Sequence, residues 1–363
     1  METQIIFKQN LEDNIHFRTL RNRLKNVIRS LPDKRKHQKI YAVILMPLAF
    51  IAVYLLALNF KQNAALFYTF YAFLGIISVL IFVSLIHDAI HHNIFKKRGW
   101  NNALIILFDL LGGNSYIWKK RHVLLHHNYQ NIAGWDSDIE QTGLIKVFKH
   151  EKATFISRNQ SWLIFFLYPM YLLNWILLRD FKDFFLKKRA IKKVCKIPTI
   201  EYFKLFLFKG LFLFYTVFIP VILGVEVYTA LLGLFIMFTV GSIFALVSLL
   251  PPHVNDKSEF PVPNDHGQLE SSWFAHQFDT TNDVILNNWF TRNIMGNFNF
   301  HLAHHLFPNI SSVYAPEVTR EIANYAKEHG FQYRSYKLQK ALYYHYQLIK
   351  ENAIDEDFFE EDM

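Results

Sequence analysis

The chain has 363 residues, 52% hydrophobic and 17% aromatic, with a net charge of +9 and one cysteine, Cys195. A single cysteine excludes an intramolecular disulfide framework and any CxxC metal or redox motif. The basic residues are interspersed with long apolar runs rather than patterned for a groove, so the expected anionic neighbour is a membrane surface and not a nucleic acid.

In chain order, residues 1–39 are polar and hold ten Lys or Arg. They predict a basic cytosolic segment with no cleavable signal peptide. Four runs, at about 41–60, 65–86, 203–223 and 228–250, are apolar over the roughly 20 residues a helix needs to cross a bilayer. Short loops join them pairwise, so the pattern predicts two helical hairpins. The stretches 103–111 and 162–178 fall short or are broken by Pro169 and Asn174, and predict helices lying in the interface. The two hairpin loops carry only Lys61, whereas the N-terminal segment, residues 87–202 and the region after 251 carry nearly all the Lys and Arg. The positive-inside rule therefore turns all three of those regions, and both termini, to the cytoplasm. Residues 187–193 predict a basic interfacial or solvated segment, 251–268 a proline-rich loop, 316–327 a helix with proline near its start, and 355–362 a solvated acidic tail.

Three histidine clusters stand out: His87, His91 and His92; His122, His126 and His127; and His301, His304 and His305. Nine of the 17 histidines lie in them. Neutral imidazole suits iron, zinc, copper and nickel. Histidines at i and i+4 share one helix face, so each cluster is expected to grip one metal from a single turn. Three clusters exceed the needs of one metal, which implies a two-metal centre. The predicted topology puts all three on the cytoplasmic side. The expected fold is thus all-α: an integral membrane protein with four transmembrane helices in two hairpins and a cytosolic helical cap holding a di-metal site.

The motifs resemble the membrane fatty acid desaturases, of the acyl-lipid and linoleoyl-CoA type. That family has three histidine boxes of this spacing and order. The stretch from Arg121 to Gly134, with Asp136 and Asp138 beyond it, is similar to the second box, and His304-His305-Leu306-Phe307-Pro308-Asn309-Ile310 to the third. The resemblance covers about 40–335 and implies a division into an N-terminal segment 1–39, a desaturase domain 40–335 and a cytosolic tail 336–363. It implies metal ligands at His87, His91, His122, His126, His127, His301, His304 and His305. His253, in His253-Val254 and the following Glu259-Phe260, would supply a further ligand, with His276 as competitor; His92 could replace His91. Asp88, Asp136, Asp138 and Glu140, with His92 and His276, are candidates to orient the ligands from behind.

By the same resemblance, the cofactors are two iron ions with O2 as co-substrate. The reaction removes two hydrogens from adjacent methylenes of a fatty acyl chain to leave a cis double bond. The acyl carrier would be a lipid, CoA or acyl carrier protein, and a hydrophobic tunnel should hold the chain. Front-end desaturases usually open the third box with Gln, where this chain has His301. Their eukaryotic members carry a fused cytochrome b5 domain with a His-Pro-Gly-Gly motif that is absent from this sequence. Electrons are therefore expected from a separate ferredoxin or cytochrome b5 type donor, and the setting from a bacterial inner membrane or the endoplasmic reticulum. A di-iron hydroxylase of the same fold is the alternative. A histidine-rich metal transporter would place its ligands near the bilayer midplane, whereas here each cluster sits at or beyond the end of a span.

Overall fold

The computed structural model describes residues 5–32, 35–139, 144–149, 151 and 153–354. Glu140 and the acidic stretch 355–362 lie outside the described residues. Almost all regular structure is helical. The first helix, α1 (Leu11–Arg29), starts where the Asn10 side chain accepts from the Glu12 and Asp13 amides at 3.0 and 3.4 Å. The apolar runs then form α2 (Lys36–Asn59) and α3 (Ala64–Ile81), joined by a short loop in which Asn63 caps α3 through the Leu66 amide. Beyond Ile81, α3 continues through a widened π turn over Phe82–Ile86 into His87–Ile90.

The amphipathic α4 (Arg98–Leu110) buries Ile105 and Phe108 and exposes Trp100 and Ile106. After it, α5 (Ser115–Lys120) runs into a second π turn over Arg121–His126. Next, α6 (Gln160–Leu167) begins a longer helical run to Phe185, interrupted by a 3-10 turn at Pro169 and a π turn over Trp175–Arg179. The second hairpin is α7 (Thr199–Leu213), extended to Ile222, and α8 (Val227–Leu249). The C-terminal third holds α9 (Trp273–Thr280), β1 (Asp283–Ile285), α10 (Trp289–Asn293), α11 (His301–Leu306), α12 (Ala315–His329), β2 (Ser335–Lys337) and α13 (Leu338–Glu351). The two short strands pair in parallel, Val284 opposite Tyr336.

Among the described residues, five helical runs are long and apolar enough to cross a membrane: His37–Asn59, Ala64–Ile90, Gln160–Phe185, Thr199–Ile222 and Val227–Leu249. Four match the expected spans. The fifth contains the stretch expected to lie in the interface. Its end holds Arg179, Asp180 and Asp183, all buried, with Asp183 2.6 Å from Arg121 and Asp180 2.9 Å from Lys209. Protein partners, rather than lipid, satisfy those charges.

Small residues let the spans close up. A Cβ on Gly75 of α3 would overlap the Met237 carbonyl of α8, and one on Gly241 would lie 3.1 Å from the Gly75 carbonyl oxygen. Packed against α3, α2 leaves Ile44, Leu48, Ile51 and Leu55 exposed, the surface a bilayer would cover. The hairpin loops meet where Lys61 Nζ donates to the Leu223 carbonyl at 2.6 Å, so both lie at one end of the bundle.

The histidines gather at the other end, beneath the cap. There α1 packs Phe17, Leu20 and Leu24 against Phe274, Phe307, Val318 and Ile322, so the N-terminal segment forms part of the cap's core. The last helix, α13, docks as well, with Ala341, His345, Leu348 and Ile349 buried.

Candidate metal centre

Each histidine box arrives on a short helical turn whose geometry decides where its rings go. In the first, His87 follows the π turn at the end of α3, and His91 closes the turn. His92 adopts a left-handed backbone (φ 61°), which turns the chain out of the helix and leaves its side chain half-exposed. In the second box His122 and His126 belong to the π turn itself. The third box is α11, whose His301 and Leu302 amides donate to Asp283 Oδ1 at 2.6 and 2.9 Å. Burial pushes the Asp283 carboxyl up to about 6, and these amides oppose that shift.

Eight imidazoles converge in two sets. His87, His91, His122 and His304 form the first, and His126, His253, His301 and His305 the second; within each set the ligand atoms lie within 4.8 Å of one another. His127 sits between the sets, its Nε2 3.1 Å from His122 Nε2 and its ring 4.5 Å from that of His305. The two sets redistribute the boxes. His87 with His91, and His301 with His305, stay together at i and i+4, as an α-helical turn allows. His122 and His126, also at i and i+4, go to different sets, so the second box does not serve one metal alone. Both belong to the π turn, whose wider backbone departs from the α-helical geometry of the other two boxes.

The donor chemistry fits metal ions. His87 Nε2, His91 Nε2, His301 Nδ1 and His304 Nε2 are buried without a hydrogen-bond partner. His253 Nε2 faces His305 Nε2 at 2.9 Å. Buried nitrogens with no partner are costly in a metal-free fold, and a cation among them would use each lone pair. Burial holds His122, His127, His253, His301, His304 and His305 well below the usual imidazole value, and His91 down to about 3, reinforced mainly by neighbouring imidazoles. These rings are neutral at physiological pH, the form a metal needs. His126 alone shifts upward: burial opposes its charge, but the Asp136 carboxylate outweighs burial.

Behind the rings, partners fix orientation. Asp136, fully buried, faces His126 Nδ1 at 3.0 Å and accepts from the Asn131 and Asp138 amides at 2.9 and 3.1 Å. Asp138 faces His122 Nδ1 at 2.9 Å, with Arg121 Nε 3.5 Å from it. His253 Nδ1 lies 3.2 Å from the Thr280 carbonyl, to which it can donate. Asp88 takes no such role: it pairs with Lys39 at 2.9 Å and accepts from Ser312 at 2.6 Å, and its nearest approach to His87 Nδ1 is 4.0 Å. His276 is buried outside both sets, its ring edge-on to Phe7 and its imidazole pushed down to about 4 by burial.

Gln130 escaped the sequence reading. Its amide lies 2.5 Å from His305 Nδ1 and also contacts Gln277. A metal on His305 Nε2 would make Nδ1 the N–H donor, so the Gln130 carbonyl oxygen belongs at that contact, an amide half-turn away. Its only sequence signal was position, three residues after His127.

A cavity of about 520 Å³ opens beside both sets, bounded by His87, His122, His126, His253 and His301 and by Phe82, Trp118, Trp175 and Leu249. A second, of about 470 Å³ and almost wholly apolar, shares Phe82, Trp175 and Leu249 and extends between α3, α4 and α8.

The family model described as fatty acid desaturase matches residues 63–337. The sn-1 linoleoyl-lipid 6-desaturase of Arthrospira platensis is 30% identical over 249 residues, covering 68% of this chain and 67% of that protein. The corresponding enzyme of Synechocystis sp. is 29% identical over 256 residues, covering 70% of this chain and 71% of its own. The acyl-lipid (8-3)-desaturase of Physcomitrium patens is 28% identical over 311 residues, covering 85% of this chain and 65% of the relative. The chain thus spans about two thirds of the length of these relatives.

Proposed function

This chain belongs to the fatty acid desaturase family, and from that premise we propose that it is an O2-dependent acyl-lipid desaturase of a cell membrane. The observation that carries this reading is the meeting of two four-histidine sets beside a cavity that shares an apolar wall with a second, almost wholly apolar one. His87, His91, His122 and His304 would hold one iron, and His126, His253, His301 and His305 the other, with His127 within reach of both. Bound iron would supply the O2 chemistry needed to break an unactivated C–H bond, which no side chain provides.

The protein's own part is positional. Asp136, Asp138, Gln130 and the Thr280 carbonyl hold the far nitrogens of their histidines, fixing tautomer and aim. Phe82, Trp118, Trp175 and Leu249 offer an apolar wall on which an acyl chain can lie with its methylenes against the histidines. The apolar cavity between α3, α4 and α8 would take the methyl end. Excluding water there also keeps oxidising equivalents from side reactions.

The lipid-linked substrate is taken from the names of the relatives. The positive-inside rule supports cytoplasmic termini and a cytoplasmic metal centre, in either a bacterial inner membrane or the endoplasmic reticulum. Electrons then come from a separate ferredoxin or cytochrome b5 type protein at that face. We take 40–335 as the desaturase unit, with α1 contributing to its cap.

The test is the fatty acid profile of a host expressing the chain with a ferredoxin system, double bonds located by mass spectrometry, and His304→Ala as control. A new unsaturated acyl species, absent from the control, is expected. New hydroxy fatty acids would instead assign a hydroxylase. Iron near two per chain in the purified protein is the second expectation, and iron-free protein from iron-replete cells would refute the assignment.

A further inference from the structure

The loop and short helix between β1 and α11 present large apolar side chains outward. Trp289 of α10 is 69% exposed, Phe290 40% and Ile285, just before it, 55%. These apolar side chains are held outward by a rigid turn. The Asn288 side chain accepts from the Thr291 amide at 3.0 Å, and the Thr291 hydroxyl accepts from the Asn288 amide at 3.1 Å. Asn299 donates to the carbonyls of Val284 and Leu286 at 3.0 and 2.7 Å, and the Asn297 amide donates to Thr291 O at 2.8 Å. A segment braced this way cannot fold its aromatics inward, so their exposure needs a partner.

Position and charge point to which partner. Gly296, three residues after α10, packs so tightly that a Cβ there would lie 2.5 Å from Lys39 Nζ and 3.3 Å from Ser84 Cα. Lys39 is in the first turn of α2, immediately before the exposed apolar surface that begins at Ile40 and Tyr41. The turn after α10 therefore sits at the level where α2 and α3 leave the bilayer. Residues 284–316 contain no carboxylate, and the exposed Arg292 is the one Lys or Arg among them. Exposed Trp and Phe beside a single cation suit the headgroup layer, where an aromatic ring meets acyl carbon and a guanidinium meets phosphate. An acidic electron donor would favour a denser basic patch.

A third cavity, of about 420 Å³, joins this turn to the metal centre. It runs from Gly296, Asn297 and Phe300 to His87, His301 and His304. It shares His87, Phe298 and His301 with the lining of the cavity already described, so the two lie on either side of those residues, between the α10 turn and the spans.

We propose that α10 is a membrane-dipping portal: Trp289 and Phe290 seat in the cytoplasmic leaflet, Arg292 meets a lipid phosphate, and the Gly296–Asn297 turn admits a bilayer lipid's acyl chain to the histidines. The portal's cargo rests on the acyl-lipid desaturase reading; its contact with the bilayer does not.

The test uses the full chain with Cys195→Ser, reconstituted in vesicles of equal parts phosphatidylethanolamine and phosphatidylglycerol. A spin label is placed at Trp289→Cys, with Ile51→Cys on the exposed face of α2 as the bilayer reference and Asp265→Cys in a cap loop as the water reference. The label at 289 is expected to be open to O2 and shielded from a water-soluble nickel chelate, as at 51. In the iron-loaded enzyme, Trp289→Glu is expected to raise KM for vesicle-borne lipid roughly tenfold, with kcat held within about twofold and iron content unchanged. A label at 289 as open to the chelate as that at 265 overturns the proposal even if lipid is desaturated. Shielding that arises only on adding the electron donor also overturns it, in favour of a protein partner. A shielded label in a protein that desaturates no lipid supports the bilayer contact and overturns the portal's cargo together with the acyl-lipid reading.

Discussion

Asp136 and Asp138 stand two residues apart, yet each holds a histidine of a different set, and that separation can be tested by charge removal. Asp136→Asn keeps the volume of a fully buried side chain but replaces one accepting oxygen with an NH2. Both carboxylate oxygens are in use. Oδ1 takes His126 Nδ1 and the Asp138 amide at 3.0 and 3.1 Å, and Oδ2 takes the Asn131 amide at 2.9 Å. Whichever way the new amide turns, one donor faces another. A buried donor left unpaired costs about 1–3 kcal/mol, and loss of a partner behind a metal-bound histidine typically costs ~10–100-fold in metal affinity. The expected result is selective: Asp136→Asn weakens the His126 set by that factor and drops iron toward one per chain under limiting metal. Asp138→Asn should do the same to the set containing His122, and the double variant should empty both. The assay is metal content and chelator competition on purified protein, with circular dichroism to confirm retained helix. If each single variant loses both metals equally, or if neither changes affinity, the pairing of one aspartate to one set is wrong.

Gln130→Leu removes the amide at His305 and should weaken metal binding in that set by about tenfold, whereas Gln130→Glu, which keeps an acceptor, should restore most of it; the same chelator titration reads both. At the α3–α8 contact, Gly75→Ala has no room beside the Met237 carbonyl and should destabilise the detergent-solubilised protein by about 1–3 kcal/mol, seen as a lowered Tm; an unchanged Tm would refute the close approach. His345, between the Tyr168 hydroxyl at 2.6 Å and the Val254 carbonyl at 2.6 Å, is pushed down by burial to about 4. Because its folded value lies below the unfolded one near 6.5, the unfolded state binds more protons between the two. Its contribution is therefore complete above about pH 6.5 and falls away on acidification to pH 4, by about 3 kcal/mol. His345→Gln should flatten that part of the stability profile, and a variant with the unaltered acid slope would refute the assignment.

The sequence by itself determined what depends on local pattern. Apolar runs of span length, separated by loops carrying only Lys61, define the two hairpins, because hydropathy needs no tertiary partner to be read. The three boxes named the metal-binding chemistry for the same reason: nine histidines at helical spacing are a property of neighbours in the chain. Even the acids behind the rings were visible at Asp136 and Asp138, close in sequence to the histidines they face. Tertiary structure decided everything that joins distant segments. It grouped His122 with His304 and His126 with His253, a grouping set by which distant segments pack around the second box and not encoded in residue spacing. It drew Asp88 to Lys39 rather than to a histidine, brought Gln130 to His305 across 175 positions, and set His253 rather than His276 among the converging rings. It folded α1 into the cap and extended the interfacial stretch into a fifth long helix whose buried charges find partners on Arg121 and Lys209. Periodicity reports which face of an element is apolar, but the partner of a buried polar atom is chosen by packing, and packing is a property of the assembled chain.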